Sequence, residues 1–174
     1  SLSACGEGVP SGQESAETVQ PDEGGGYGDV TLTVGFNGDF TTLVDAIIGA
    51  AESLIEKYAA EGIDTKITIE ADYQTIDNTE FHNNIVFAHK SGEAPDMFIC
   101  DTDVAGFVNA GCVLDITDVI TDSMVEGICT PCTVDGKVYA MIYQKGADHK
   151  KILFEPNEKM VKAMRRAYLR RMVA

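Results

Sequence analysis

A regular alternation of extended and helical segments within the first hundred residues constrains the fold more than any other feature of this sequence. Val30–Val34 and Thr65–Tyr73 alternate apolar and polar residues, as half-buried strands do, whereas Asp96–Cys100 is almost wholly apolar, as in a buried parallel strand. Between these strands, apolar residues recur every three or four positions over Phe40–Tyr58 and Phe81–Ala88, which predicts two amphipathic helices. The order strand, helix, strand, helix, strand predicts βαβ units.

Consecutive βαβ units define the expected fold class. Their right-handed crossovers give an α/β fold with a doubly wound, mostly parallel sheet that is covered by helices on both faces. A chain of 174 residues suits a single domain of this kind. Such sheets bind ligands beyond the carboxyl ends of their strands, so a binding site is expected in the loops at that edge.

Two polar loops follow the first and third predicted strands and should emerge side by side at this edge. Carboxylate and amide groups exchange hydrogen bonds with hydroxyls, so these loops suit a polyhydroxylated ligand. The candidate ligand-binding residues are Phe36, Asn37, Gly38, Asp39, Asp101, Thr102 and Asp103. Asp39 and Asp103 also stand where helix N-caps are expected. The sequence does not decide between capping and ligand binding, and one residue can do both.

The start of the chain is typical of a bacterial lipoprotein. In Leu2–Gly6 a branched apolar residue and two small residues precede Cys5, which would carry the lipid; an ordinary cysteine is the alternative. Glu7–Asp29 contains almost no large apolar side chains, so it cannot offset the entropy of ordering. Residues 1–28 are therefore predicted to be a lipoprotein N-terminus and a flexible acidic linker that tethers the domain to a membrane.

Four further cysteines fall within the predicted domain, and they raise the question of disulfides. In an oxidising compartment we expect disulfides among Cys100, Cys112, Cys129 and Cys132, with the connectivity open. Cys129 and Cys132 form a C-x-x-C motif, but it precedes a hairpin pattern rather than a helix, which disfavours thioredoxin-type chemistry. A four-thiolate zinc site usually shows two such pairs, so no metal is expected.

Charge and motif content disfavour several other classes of function. The net charge of −15 argues against nucleic-acid binding, which needs clustered cations. The sequence contains no G-x-S-x-G elbow, no G-x-x-x-x-G-K phosphate loop and no paired spacing among His82, His89 and His149. We therefore expect neither an enzyme nor a bound cofactor.

Four segments in a fixed order carry a resemblance to a known family. They are Phe36–Asp39; Ser91–Ile99, which contains Ala-Pro-Asp before the third strand; Ala110–Thr117, of the form G-x-L-x-(D/E)-(I/L)-T; and Val134–Ala140, of the form DGK-x-Y-(A/G). Together they cover about residues 30–143. In this region the chain resembles the N-terminal lobe of the family 1 extracellular solute-binding proteins, which include maltose-binding protein.

The resemblance implies a periplasmic-binding-protein fold and the function of a substrate-binding component of an ABC importer. Such a protein captures a carbohydrate outside the cell membrane and presents it to the permease. This chain would be membrane-anchored there through a lipid on Cys5. By the same resemblance, Asn37–Asp39 matches a sugar-contacting loop, and Asp101 or Asp103 matches an aspartate that binds ligand hydroxyls. Gly35 stands where the maltose type has tryptophan, so Phe36, Phe40 or a tyrosine would have to stack on the sugar.

The length and the charge of the C-terminal segment set the expected domain organisation. A second lobe does not fit within 174 residues, so we expect a truncated receptor in which residues 29–143 form the single lobe. The alternative is that a partner chain replaces the missing lobe. Residues 145–174 hold nine of the thirteen basic residues, about +6 net, which leaves about −21 elsewhere. We expect residues 144–174 to be a divergent, basic, helical tail that docks on the acidic body and completes its sheet, with a solvated or membrane-bound helix as alternatives. A truncated surface lipoprotein that acts as an interaction or structural module is the alternative function.

Overall fold

The computed structural model describes residues 28–38, 40–101, 103–120, 130–144 and 150–173. The strands in these ranges are β1 (Gly28–Asn37), β2 (Thr65–Gln74), β3 (Met97–Cys100), β4 (Thr133–Val134), β5 (Lys137–Val138), β6 (Met141–Gln144) and β7 (Lys150–Phe154). The helices are α1 (Thr41–Ala60), α2 (Asn78–Ser91), α3 (Val104–Asn109) and α4 (Glu158–Val173). None of the described helices combines the length and the apolar character that crossing a bilayer requires.

A five-stranded sheet in the order β2-β1-β3-β7-β6 organises the fold. The strand β1 pairs in parallel with both β2 and β3, whereas β7 runs antiparallel to β3 and to β6. The strands β4 and β5 form a separate hairpin, whose turn residues Asp135 and Gly136 both have positive φ, as a type I′ turn requires. The α/β class with a mostly parallel sheet is confirmed.

The central strand β3 is buried on both faces, as its apolar sequence predicts. Phe98 packs with residues of α2 and α3, while Ile99 packs with residues of α1 and α4, and neither side chain is exposed to solvent. Successive side chains of a strand point to opposite faces, so the two core clusters lie on opposite sides of the sheet. The helices therefore form two layers, with α2 and α3 on one face and α1 and α4 on the other.

The strand β7 lies inside this sheet, although it belongs to the segment that the sequence analysis set apart as a tail. Leu153 is fully buried, and Phe154 and Lys151 are almost so. The boundary predicted at residue 143 therefore runs through the sheet. Lysines at 150 and 151 suggest an exposed segment, so the apolar residues that follow them were not recognised as a strand. Burial of Lys151 is possible because it donates a hydrogen bond to the backbone carbonyl of Asp101 over 3.2 Å.

Asp96 joins the tail to the first strand through its buried carboxylate. One oxygen accepts hydrogen bonds from the backbone amide of Thr33 at 2.9 Å and from Nζ of Lys159 at 2.8 Å, and the other accepts from Asn157 at 2.8 Å. The backbone of Asp96 also binds the Thr33 hydroxyl and the amide of Glu155. Burial alone would raise the pKa of Asp96, but the hydrogen bonds from Lys159, Thr33 and Asn157 outweigh it and lower that pKa.

We predict that Asp96→Asn lowers the free energy of unfolding by about 2 kcal/mol at pH 7, because the new amide group faces donors of Asn157 and Lys159. The folded-state pKa lies below the unfolded value of about 3.9, so the stabilisation is complete above that pH and is lost as the pH falls through the folded-state pKa. Urea unfolding between pH 2 and 7 measures both effects. The exposed Asp64→Asn is the control, and equal stability of the two variants at pH 7 would contradict the prediction.

We predict that a chain ending at Tyr143 loses cooperative unfolding, because it lacks β7, which pairs with β3 and β6, and lacks the buried Met160 of α4. These contacts are apolar packing and backbone hydrogen bonds, so the loss should be similar at low and at high salt. Thermal unfolding followed by circular dichroism tests this. An unchanged unfolding midpoint at both salt concentrations would show that residues 144–174 do not stabilise the fold.

Candidate functional site

Side chains that follow three neighbouring strands form a connected hydrogen-bond chain at the carboxyl edge of the sheet. Asn37 ends β1 and donates from Nδ2 to Oδ1 of Asn78, over 3.1 Å, at the start of α2. Asn78 donates from its own Nδ2 to Oδ1 of Asp101, over 2.9 Å, directly after β3. Oδ1 of Asn37 accepts from the backbone amide of Ile76 over 3.1 Å, so the loop after β2 is fixed against β1.

The local sequence explains why the chain turns at this edge. Gly38 has a φ of +85° and its amide donates to the carbonyl of Gln74, which closes the ends of β1 and β2. Asp77 accepts from the amide of Glu80 and caps α2, and Asp103 accepts from the amide of Ala105 and caps α3. The predicted capping role of Asp103 is thus present, and its ligand role stays a prediction.

A cavity of about 290 Å³ lies between the first turns of α2 and α3. The residues around it are Asn78, Thr79, His82, Asp103 and Gly106. The ring of His82 packs on Phe107 with 4.4 Å between the ring centroids. A Cβ at Gly106 would come within 2.9 Å of Nε2 of His82, so this glycine leaves room for the imidazole.

Aromatic side chains lie near the carboxyl ends of β1 and β2, on the face of the sheet that α1 covers. Phe36 is only 6% exposed and contacts the rings of Phe40 and Tyr73, with centroids 6.2 and 5.3 Å away. Tyr73, at the end of β2, is 54% exposed, so its ring is available to a ligand. Nζ of Lys150 lies 4.5 Å from the centroid of the Phe40 ring, a cation–π contact.

The structure brings together some of the predicted site residues and separates others. Asn37 and Asp101 are joined through Asn78, Gly38 forms the turn after β1, Asp103 lines the adjacent cavity, and Phe36 belongs to the core. Asp39, Thr102 and Cys5 lie outside the described residues. The sequence analysis missed Asn78, Thr79 and Tyr73, which belong to the end of β2 and the start of α2. Applying the carboxyl-end rule to the second strand would have found them.

Three of the four cysteines expected to form disulfides fall within the described residues. Cys100, Cys112 and Cys132 are buried in one core cluster, and Cys129 lies outside the described ranges. Burial raises the pKa of Cys112 to about 11, and the negative charge of Glu155 adds to the effect. Oxidation of these cysteines stays a prediction. Among the described residues, no three His, Cys, Asp or Glu side chains converge as a metal site would require.

Comparison with solved structures supports one lobe of the periplasmic-binding-protein fold. The galacto-N-biose/lacto-N-biose I-binding protein of an ABC transporter from Bifidobacterium longum is similar at 20% identity with a TM-score of 0.52. The match covers 72% of this chain and 30% of that one. An extracellular solute-binding protein family 1 member from Alicyclobacillus acidocaldarius has 22% identity and a TM-score of 0.47, over 65% of this chain and 28% of that one.

A third structural neighbour has the same partial coverage. The maltose/maltodextrin-binding domain MalE from Bdellovibrio bacteriovorus, bound to maltotriose, has 19% identity and a TM-score of 0.49, over 65% of this chain and 28% of that one. The chain thus spans under a third of the length of these neighbours. At these identities the likeness shows the fold alone.

Sequence comparison gives a different match at the C-terminal end. Residues 122–174 match the family described as bacterial PH-like domain (DUF6106). This match covers less than a third of the chain and includes β4 to β7 and α4. No curated protein sequence matches the chain.

We predict that Cys112 resists alkylation in the folded protein at pH 8, because its sulfur is buried and its raised pKa leaves almost no thiolate. Pulse labelling with iodoacetamide followed by mass spectrometry of the Cys112 peptide measures this. The urea-unfolded chain is the control and should label fully within the same pulse. Equal labelling of the folded and unfolded chains would contradict the assigned burial.

Proposed function

We propose that this chain binds a carbohydrate and acts as the substrate-binding component of an ABC importer. The observation that carries the proposal is the hydrogen-bonded chain of Asn37, Asn78 and Asp101. This arrangement lies at the carboxyl edge of the sheet, where folds of this kind bind ligands. The exposed ring of Tyr73, near the end of β2, is the aromatic surface on which the apolar face of a sugar would stack.

The chemistry of the three polar side chains supports a neutral, hydroxyl-rich ligand. An ionised carboxylate offers about four acceptor sites, and the bond from Asn78 uses one of those on Asp101, so others remain for ligand hydroxyls. The mutual hydrogen bonds hold all three side chains in place before a ligand arrives, which reduces the entropy lost on binding. Thr79 and Asp103, at the neighbouring cavity, extend the set of hydroxyl partners.

The remaining parts of the proposal concern the cellular setting. Cys5 carries a lipid that holds residues 1–28 as a tether at the outer face of the membrane, and residues 29–143 form the binding lobe together with β7 of the basic segment 144–174. A permease receives the solute, and a second lobe or partner chain closes over the site. Supporting this, the neighbour from Bifidobacterium longum is described as a component of an ABC transporter in complex with lacto-N-biose.

An interaction or structural module is the second candidate. The observation that favours it is the match of residues 122–174 to a family whose description names a PH-like domain rather than solute capture. In this alternative, a surface lipoprotein uses the same edge of the sheet to contact another chain. It predicts an assembly that forms without any added sugar.

Titration calorimetry against mono- and oligosaccharides tests the first proposal. We predict that Asp101→Asn weakens sugar binding about tenfold or more, because a charged acceptor becomes a neutral amide of the same shape. Tyr73→Ala should also weaken binding, because it removes the exposed ring. Asp64→Asn, an exposed aspartate just before the amino end of β2, is the matched control and should leave binding unchanged.

One result would count against solute binding, and another would count against the assigned site. One is the absence of heat with every sugar, combined with a stable oligomer in light scattering, which supports the interaction module instead. The other is an Asp101→Asn variant that binds a sugar as tightly as the parent chain, which would place the sugar elsewhere on the protein.

A further inference from the structure

A second cavity, of about 500 Å³, lies at the opposite edge of the sheet from the candidate sugar site. It is bordered by the amino-terminal ends of β1 and β2, the last turns of α1, and α4. Its apolar lining consists of Val30, Leu32, Leu54, Tyr58, Ile67 and Met160. Its volume falls in the range of about 300–1,000 Å³ that small-molecule sites occupy.

Cations surround the mouth of this cavity. Lys159, Lys162 and Arg166 line it from α4, at spacings of three and four residues that place them along one side of the helix. No acidic residue is among the described residues that line it, although Lys159 and Lys162 each pair with a carboxylate just outside the lining.

The contacts of these cations indicate how a ligand would meet them. Nζ of Lys159 is fixed at 2.8 Å from Asp96 and 2.8 Å from the carbonyl of Thr31. Lys162 pairs with Glu158 at 2.6 Å, but both side chains are mostly exposed, and an exposed pair of this kind contributes little. Lys162 can therefore exchange this partner for a ligand anion, whereas Lys159 stays paired with Asp96.

We propose that this cavity binds a long-chain fatty acid, with the hydrocarbon chain among the apolar residues and the carboxylate at Lys162 and Arg166. Apolar lining alone would fit a neutral lipid, but three cations at the mouth favour an anionic head group. Burial of the hydrocarbon chain among these residues would favour binding, because it removes apolar surface from water. The cavity and the carboxyl edge are at opposite ends of the strands, so the proposal is independent of sugar binding.

Displacement of a fluorescent polyene fatty acid by palmitate, below the micelle concentration, tests the proposal on the full chain. Palmitate should bind at least tenfold more tightly than hexadecanol, which has the same chain without the charge. The double variant Lys162→Gln with Arg166→Gln should lose this difference and bind both compounds alike. Thermal unfolding without ligand checks that the variant keeps its fold.

A second test fills the cavity with a larger side chain. Ala163 lines the cavity on α4, and Ala163→Phe should abolish palmitate binding, with Ala163→Leu as the milder variant if the first unfolds. Ala59→Phe, at an exposed position of α1 outside the lining, is the matched control and should bind normally. Unchanged binding by both Ala163 variants would overturn the proposal, as would equal binding of palmitate and hexadecanol by the parent chain.

Other occupants would give distinct results. Carbodiimide cross-links from Lys162 to Glu14, Glu17 or Glu23, with no palmitate binding, would show that the acidic N-terminal segment occupies the cavity. Dimerisation that buries the cavity, seen as a concentration-dependent mass in light scattering without palmitate binding, would identify a second copy of the chain. Either result overturns the proposal.

Discussion

The buried carboxylate of Asp96 is the interaction on which the rest of the structure depends. It lies just before β3, yet it binds Thr33 of β1 and both Asn157 and Lys159 at the start of α4. A single side chain thus joins elements separated by more than sixty residues in each direction. The carboxylate is 4% exposed, and such burial is tolerated only because both of its oxygens have donors.

Placing α4 at Asp96 also determines the chemistry of the amino-terminal edge of the sheet. The hydrogen bond to Lys159 orients the first turn of α4, so that Met160 enters the core while Lys162 and Arg166 reach the mouth of the apolar cavity. The carboxyl edge is different, since Asn37, Asn78 and Asp101 bind one another there. One sheet therefore presents a polar edge and an apolar edge with a basic rim, and each suits a different class of ligand.

Elements whose signal is local could be predicted from the sequence, and those that depend on distant pairing could not. The first two parallel strands were visible as a period of two, the third as a continuous apolar run, and the helices between them as periods of three to four residues. The strand Lys150–Phe154 was not, because its burial depends on pairing with β3 and β6, and its two lysines indicate an exposed segment. Within the site, Asn37 and Asp101 followed from the carboxyl-end rule, whereas the aromatic packing that buries Phe36 is a tertiary property.

The position of β7 determines how the two comparisons relate to each other. The PH-like family match, residues 122–174, contains β6 and β7. Because four of the five residues of β7 pair with β3, these strands do not form a separate sheet in this structure. Residues 150–154 fill the gap between β3 and β6 and cover both faces with Leu153 and Phe154. The basic segment is therefore part of the lobe, whatever its evolutionary origin, since the sheet is continuous only with it in place.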